Sequence, residues 1–378
     1  MTQVRVKDVA AIVDRPVRHE LQITPATPIP RGRTFIVRVD YSGQPGDFSY
    51  AGESNWLASA DEVVTMNEPH MAPWWFPSND HPRDKARMDI RVTVPQAMQV
   101  IANGRLVGRT VRNGLATVHW RAREPMAPYL AFFAAGSFAV DRGGSRRLPW
   151  YVAASRQIPT AQCAVAMDML RRTPALVRWL QSQLGDYPFS TTGGVVTSLG
   201  PGFSLENQTR PIYSSLRRGS TSLLVHELAH QWLGDSVSVQ SWRDIWLNEG
   251  AATFMEVRYA ETHGGRSAHR WLMDRYATAA RNPFWNLKIG NPGAARMFDS
   301  RIYLRGGMAL QALRQRVGNA DFWRVMRTWV RSNRIGNGST REFRAVAERV
   351  SGANLNGFFN AWFLTPAKPA RTAANGLQ

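Results

Sequence analysis

His226-Glu227-Leu228-Ala229-His230 sets two imidazoles four residues apart with a carboxylate beside the first, and Glu249 follows after eighteen intervening residues. On a helix, residues four apart lie one turn above each other, so His226 and His230 present their rings on one face at a separation suited to a single ion. Two histidines and a carboxylate are the donors of a catalytic zinc site, whose fourth tetrahedral position is left for water. Glu227 sits one position round from His226, close to the ion without ligating it, where it can take a proton from that water and pass it to a leaving amine. The chemistry is metal-assisted hydrolysis. The competing reading, a solvated His/Glu face on an ordinary helix, leaves Glu249 unexplained.

Specific elements must position these groups. Ser220, Thr221 or Ser222 can cap a helix whose apolar residues are Leu223, Leu224, Val225 and Leu228 and which Gly234 can end. Glu249 comes from a second helix, bound to the core through Ile245, Trp246, Leu247 and Phe254. Asp244 at its start has two readings: it accepts the outer N–H of a metal-bound imidazole, or it caps the helix.

Before about residue 148 the text is short β-branched and aromatic runs broken by Gly, Pro and Asn, such as 34–39 and 88–94, with 99–102 closing on Asn103-Gly104 as a hairpin signal. After about Pro159 the period becomes helical, first through Cys163, Ala166, Met167 and Leu170, then through Leu176, Leu180 and Leu184. Further helices are expected over 221–233, 244–262, 267–281, 304–317, 320–332, 340–350 and 354–364, with a capping start at Ser339. Trp323, Met326 and Trp329 are spaced for packing. The expected class is α+β: an antiparallel β domain over 1–155, a mostly helical metallopeptidase domain over 156–366, and a disordered tail over 367–378 with nothing to pack.

A chain of 378 residues with 44% hydrophobic content can bury a large core. Its net charge of +19 comes from Arg, since Lys stands only at positions 7, 85, 288 and 368; the arginines are dispersed, which argues against a nucleic-acid footprint. Cys163 is the only cysteine, so there is no intrachain disulfide or thiolate cluster. Residues 1–15 carry mixed charge without a signal-type apolar core, and no run is long enough to span a bilayer. As it stands the chain reads as cytoplasmic; a lost leader would make it secreted.

The run His226-Glu227-Leu228-Ala229-His230-Gln231-Trp232-Leu233-Gly234-Asp235, then Trp242-Arg243-Asp244-Ile245-Trp246-Leu247-Asn248-Glu249-Gly250, resembles the gluzincin aminopeptidase family of aminopeptidase N and leukotriene hydrolase. Residues 75–82 and Gly185-Asp186-Tyr187-Pro188-Phe189 extend the similarity over most of the chain. The resemblance implies a saddle-like β domain on a thermolysin-like catalytic domain, one Zn²⁺, and peptide substrates with a free N-terminus. It also implies that Glu206 and Glu68 bind the substrate amine and that Tyr303 stabilises the tetrahedral intermediate. Read alone, these are a loop acid, a loop charge and a half-buried aromatic. Phe203-Ser204 replaces the family's usual Gly-Ala, and Met66 stands where glutamine is common, so the substrate pocket differs. The chain reads as starting inside the β domain and ending without a helical C-terminal domain. The expected consequence is an open cleft that turns over dipeptides and long peptides alike.

The leading expectation is therefore a zinc aminopeptidase. Its rivals are a zinc endopeptidase or other zinc hydrolase on the same domain, and a non-catalytic interaction protein that kept the fold. The preferred first residue and the oligomeric state are not legible.

Overall fold

The computed structural model describes residues 21–49, 52 and 54–378, together with the backbone of Gln3–Val6, Val9–Ala10 and Ile12–Asp14. Of the segment read for a signal sequence, residues 1, 2, 7, 8, 11 and 15 lie outside the described residues.

The β region is built on strands with period-two burial. In Ala86–Pro95 the side chains of Met88, Ile90, Val92 and Val94 turn inward, and in Leu115–Met126 those of Ala116, Val118, Trp120 and Ala122 are buried. These two strands and Arg105–Arg112 form an antiparallel sheet. A second antiparallel sheet orders Trp56–Ala58, Glu62–Thr65, Phe133–Gly136 and Gln99–Ala102, with Ala134 facing Val64 and Ile101.

Asn103-Gly104 is not the hairpin its dipeptide suggests, because the strands on either side of it belong to different sheets. The buried Asn103 side chain donates to the carbonyls of Leu130 and Gln208 and accepts from the Phe132 N–H, so it holds a crossing between sheets. The hairpin lies at Asn113-Gly114, where both residues have positive φ (50° and 76°), as a tight two-residue turn requires.

Strand pairing also continues across residue 155. Phe138–Gly144 and Pro149–Ser155 share a sheet with Thr192–Val196 and Ile212–Tyr213; the first pair is antiparallel and the rest parallel. The buried Glu62 carboxylate stitches this junction by accepting from Ser155, Thr197 and Ser198.

The helices are α1 (Thr160–Leu170), α2 (Thr173–Leu184), α3 (Thr221–His230), α4 (Trp246–Thr262), α5 (Ala268–Tyr276), α6 (Ser300–Val317), α7 (Asn319–Ser332), α8 (Thr340–Ser351) and α9 (Asn356–Phe359), the last running into a π-helical turn over Asn360–Leu364. The Asp299 side chain accepts from the Arg301 N–H and starts α6 four residues before the expected 304, which puts Tyr303 on a helix. Ser339 and Glu342 form the expected capping box on α8. Trp323, Met326 and Trp329 are core residues.

The last residues are not a free tail. Leu377 is 2% exposed, Tyr276 Oη donates to the Pro369 carbonyl at 2.7 Å, and Trp362 Nε1 donates to that of Asn375 at 3.1 Å. Buried donors elsewhere need these carbonyls, a demand that the tail's own small, polar composition does not reveal. The fold is α+β, an antiparallel N-terminal β region followed by a helical domain. Among the described residues no helix is long and apolar enough to cross a membrane.

Candidate metal centre and active site

α3 carries His226 and His230 on one face, with ring centroids 4.8 Å apart. α4 crosses it so that one Glu249 oxygen, Oε2, stands 3.3 Å from His226 Nε2 and 3.4 Å from His230 Nε2. The outer nitrogens are engaged elsewhere: His226 Nδ1 pairs with Glu256 Oε1 at 2.7 Å and His230 Nδ1 with the Leu233 carbonyl at 3.1 Å. Acceptors there fix each tautomer with Nε2 free for a metal. Gly234 is required nearby: its φ is +144°, and a Cβ would press to 3.3 Å on His230 Nδ1.

Asp244 takes neither role expected of it. Its Oδ1 accepts from the Thr340 backbone N–H at 3.0 Å and from Thr340 Oγ1 at 2.7 Å, so it caps α8 across the interface. The residue that orients His226 is Glu256, which the sequence reading passed over. It lies seven positions beyond Glu249, two turns along the same face of α4, and that spacing was the available signal.

The other expected residues converge on a cavity of about 690 Å³ whose walls include Glu68, Glu206, Glu227, Glu249, Tyr303 and both histidines. Tyr303 stacks on His226 with rings 6.0 Å apart and inclined by 19°. Gln231, just past α3, donates to the Glu206 carbonyl at 2.9 Å and accepts from the Thr209 N–H at 2.7 Å, anchoring the Glu206 loop to the histidine helix. The β region braces the same loop through Asn103 and through Arg210, whose buried guanidinium donates to the carbonyls of Ala102 and Gly104. Oε1 of Glu206 and of Glu68 are both buried without a partner.

Five carboxylates, those of Glu68, Glu206, Glu227, Glu249 and Glu256, surround the two imidazoles and set the electrostatics. Burial, followed by the field of the neighbouring acids, raises the Glu68 carboxyl well above its ordinary range. Burial also raises Glu227, to about 8, against the pull of His226 and His230. Burial opposes charge on Glu249 as well, but His230 and His226 outweigh it and hold the carboxyl at about 2. Burial disfavours a charged His230, yet Glu206 and Glu249 outweigh it and raise the ring to about 9. A cation held in the cavity would offset this excess of acid.

The donors of His226, His230 and Glu249 lie within 4.8 Å of one another, as do those of Glu206, Glu227 and His230, and those of Glu68, Glu206 and Glu249. The first set has zinc chemistry, with oriented imidazoles and a carboxylate on one side and a cavity on the other. The residues fit the metal.

Comparison with known proteins agrees. Residues 205–362 match the model of the peptidase family M1 domain, and residues 6–130 that of the peptidase M1 N-terminal domain. Aminopeptidase M1-B of Oryza sativa subsp. japonica is 23% identical over 360 residues, 86% of this chain and 40% of that protein. Leucyl aminopeptidase of Saccharolobus solfataricus is 23% identical over 367 residues, 90% of this chain and 46% of that one. The chain thus spans less than half the length of these relatives. The solved structure of the M1 zinc metallopeptidase from Deinococcus radiodurans superposes with a TM-score of 0.85 at 25% identity, covering 98% of this chain and 85% of that one. With both domain models matched in order and the histidine–glutamate cluster assembled between helices, the chain belongs to peptidase family M1.

Proposed function

We propose that this protein is an aminopeptidase that uses a single Zn²⁺ to remove N-terminal residues from peptides, with the chemistry in the part of the chain after residue 155. His226, His230 and Glu249 would hold the ion, which when bound supplies Lewis acidity towards water and the scissile carbonyl. Glu227 serves as the proton carrier: its buried carboxylate takes a proton from the attacking water and delivers it to the leaving nitrogen. A base in this environment retains affinity for the proton it must carry, consistent with its raised pKa. Tyr303 donates its Oη proton to the oxyanion that develops on the carbonyl, and burial keeps that phenol protonated. Glu256 holds the His226 ring in place.

The observation that carries an aminopeptidase rather than an endopeptidase is the pair Glu206 and Glu68. Both side chains line the cavity that holds the ligand set, each has a carboxylate oxygen without a partner, and a substrate ammonium would satisfy both. A chain-internal amide, which is uncharged, could not.

The test is hydrolysis of a panel of aminoacyl fluorogenic amides, free and N-acetylated, by zinc-loaded wild type and Glu227→Ala. Cleavage of the free amines alone, abolished by the substitution, is the expected result. Equal cleavage of acetylated substrates would turn the reading to an endopeptidase. Silence from folded, zinc-loaded protein would end the enzymatic reading.

A further inference from the structure

At the wall formed by His226, Glu256, Phe298 and Tyr303 the active-site cavity adjoins a second one of about 460 Å³. α5 supplies Trp271 and Arg275 to this second space. The Arg275 guanidinium lies over the Trp271 ring, 5.0 Å from its centroid, and its Nε is shielded from solvent without a hydrogen-bond partner. Of the neighbouring charges, Arg266 pairs with Asp274 and Glu261 with Arg258 and Arg314, while Glu256, whose Oε1 is taken by His226 Nδ1, favours the charged guanidinium through its field. A stacked guanidinium whose Nε is shielded and unpaired is costly unless something completes it, and its planar fork matches a carboxylate.

The position of Arg275 says which carboxylate. The acids assigned to the substrate amine cluster with His230 and Glu249, whereas the second cavity opens beside His226, through Glu256. The amine site is thus gathered about His230 and Glu249, and the guanidinium lies past Glu256 beside His226. Glu256 and Glu249 bond the two nitrogens of the one His226 ring, so the second cavity begins directly beside the ligand set. An extended peptide advances roughly 3.3–3.6 Å per residue, so one or two residues beyond the scissile bond, plus the reach of the arginine, close the gap.

We propose that Arg275 recognises the C-terminal carboxylate of di- and tripeptides, making short peptides with a free carboxylate the preferred substrate class. This rests on the aminopeptidase reading and departs from the expectation that an open cleft treats all lengths alike. Arg275 acts on binding: it contacts the far end of the substrate, not the reacting atoms.

The experiment uses the zinc-loaded full chain and peptides made of the best-cleaved first residue followed by one, two or five glycines, each as free acid and as C-terminal amide. For the two short peptides we expect the acid to be preferred over the amide by about 10- to 100-fold in kcat/KM, carried mainly in KM, the scale of one charge-assisted hydrogen-bond pair. For the long peptide the ratio should be about one. Arg275→Gln should collapse the short-peptide ratio towards one, and Arg275→Lys should retain part of it. Should Arg275→Gln fail to fold, the wild-type ratio and the lysine variant decide. A wild-type ratio near one for short peptides, or a preference that survives loss of the guanidinium, would overturn the proposal while leaving an active aminopeptidase. Failure to release the first residue from any acid or amide would remove the underlying reading and this proposal with it.

Discussion

Gly250 on α4 and Gly306 on α6 meet with no side chain between them: a Cβ built on either would stand 2.7 Å from the other's Cα. This crossing sets the distance between the helix that carries Glu249 and the helix that carries Tyr303, so it fixes the two side chains relative to each other at the cavity.

Gly306→Ala must therefore push α4 and α6 apart. Overpacking of this kind costs about 1–3 kcal/mol of stability. Because Glu249 moves with α4, zinc affinity should fall as well. Denaturant unfolding and chelator competition measure the two effects, and an alanine variant with unchanged zinc affinity would show that the crossing does not position the ligand.

Glu256 and Asp244 should separate cleanly. Glu256→Gln removes the carboxylate from His226 Nδ1 and should weaken zinc binding by about 10- to 100-fold, the usual effect of losing a group that orients a ligand. Asp244→Asn should leave zinc affinity almost unchanged and destabilise the start of α8 by about 1 kcal/mol, the scale of a lost helix cap. The opposite pattern in a chelator titration would restore Asp244 to the metal site.

Tyr303→Phe keeps the ring on His226 and removes only the hydroxyl. Losing one oxyanion donor costs about 10²–10³ in kcat, with KM and zinc content little altered. A variant that still turns over at the wild-type rate would remove Tyr303 from the chemistry.

Stability should respond to acid through Glu261. Its carboxylate accepts from Arg258 Nη1 at 2.5 Å, from Arg314 Nη1 at 2.7 Å and from the Ala268 N–H at 3.0 Å. Burial pushes its pKa up, but Arg314, Arg258 and the backbone outweigh burial, so it lies below its ordinary 4.5. A carboxyl lowered by folding contributes stability that is fully present above its unfolded pKa and is lost as pH falls through the folded one. Glu261→Gln should lower stability at neutral pH and flatten the decline below about pH 4.5. Urea unfolding of both proteins at several pH values tests this; curves offset by a constant amount would refute it.

Removing residues 367–378 should destabilise the helical domain. Arg305 is buried on α6, and its Nη2 donates to the carbonyls of Ala361, Thr365 and Ala367, the last of which the deletion takes away. The deletion also uncovers the pocket of Leu377 and leaves Tyr276 Oη and Trp362 Nε1 without their acceptors. Each buried donor left unmet costs about 1–3 kcal/mol. An unchanged melting temperature would return the segment to a free tail.

What could be read from sequence was what local geometry dictates. His226, Glu227 and His230 are legible because a helix turns every 3.6 residues whatever surrounds it, and the Ser339 capping box because its partners are three residues apart. The membership of Tyr303, Glu206 and Glu68 in the site was reachable only through family resemblance, since nothing in their neighbours' spacing brings them to the histidines.

Long-range contact decided the rest. Asn103-Gly104 and Asn113-Gly114 are the same dipeptide, yet one crosses between sheets and the other turns a hairpin, because only the Asn103 side chain is wired to Leu130, Phe132 and Gln208. Asp244 and Glu256 are both acids on or beside α4. The fold gives His226 to Glu256 and α8 to Asp244, because the helix crossing sets which acceptor stands within hydrogen-bonding distance. The final residues look dispensable by composition and are held because buried donors far upstream in the chain must find carbonyl partners. Periodicity is a property of a segment and survives in the sequence; pairing between distant polar groups is a property of the packed chain, and only the tertiary structure determines it.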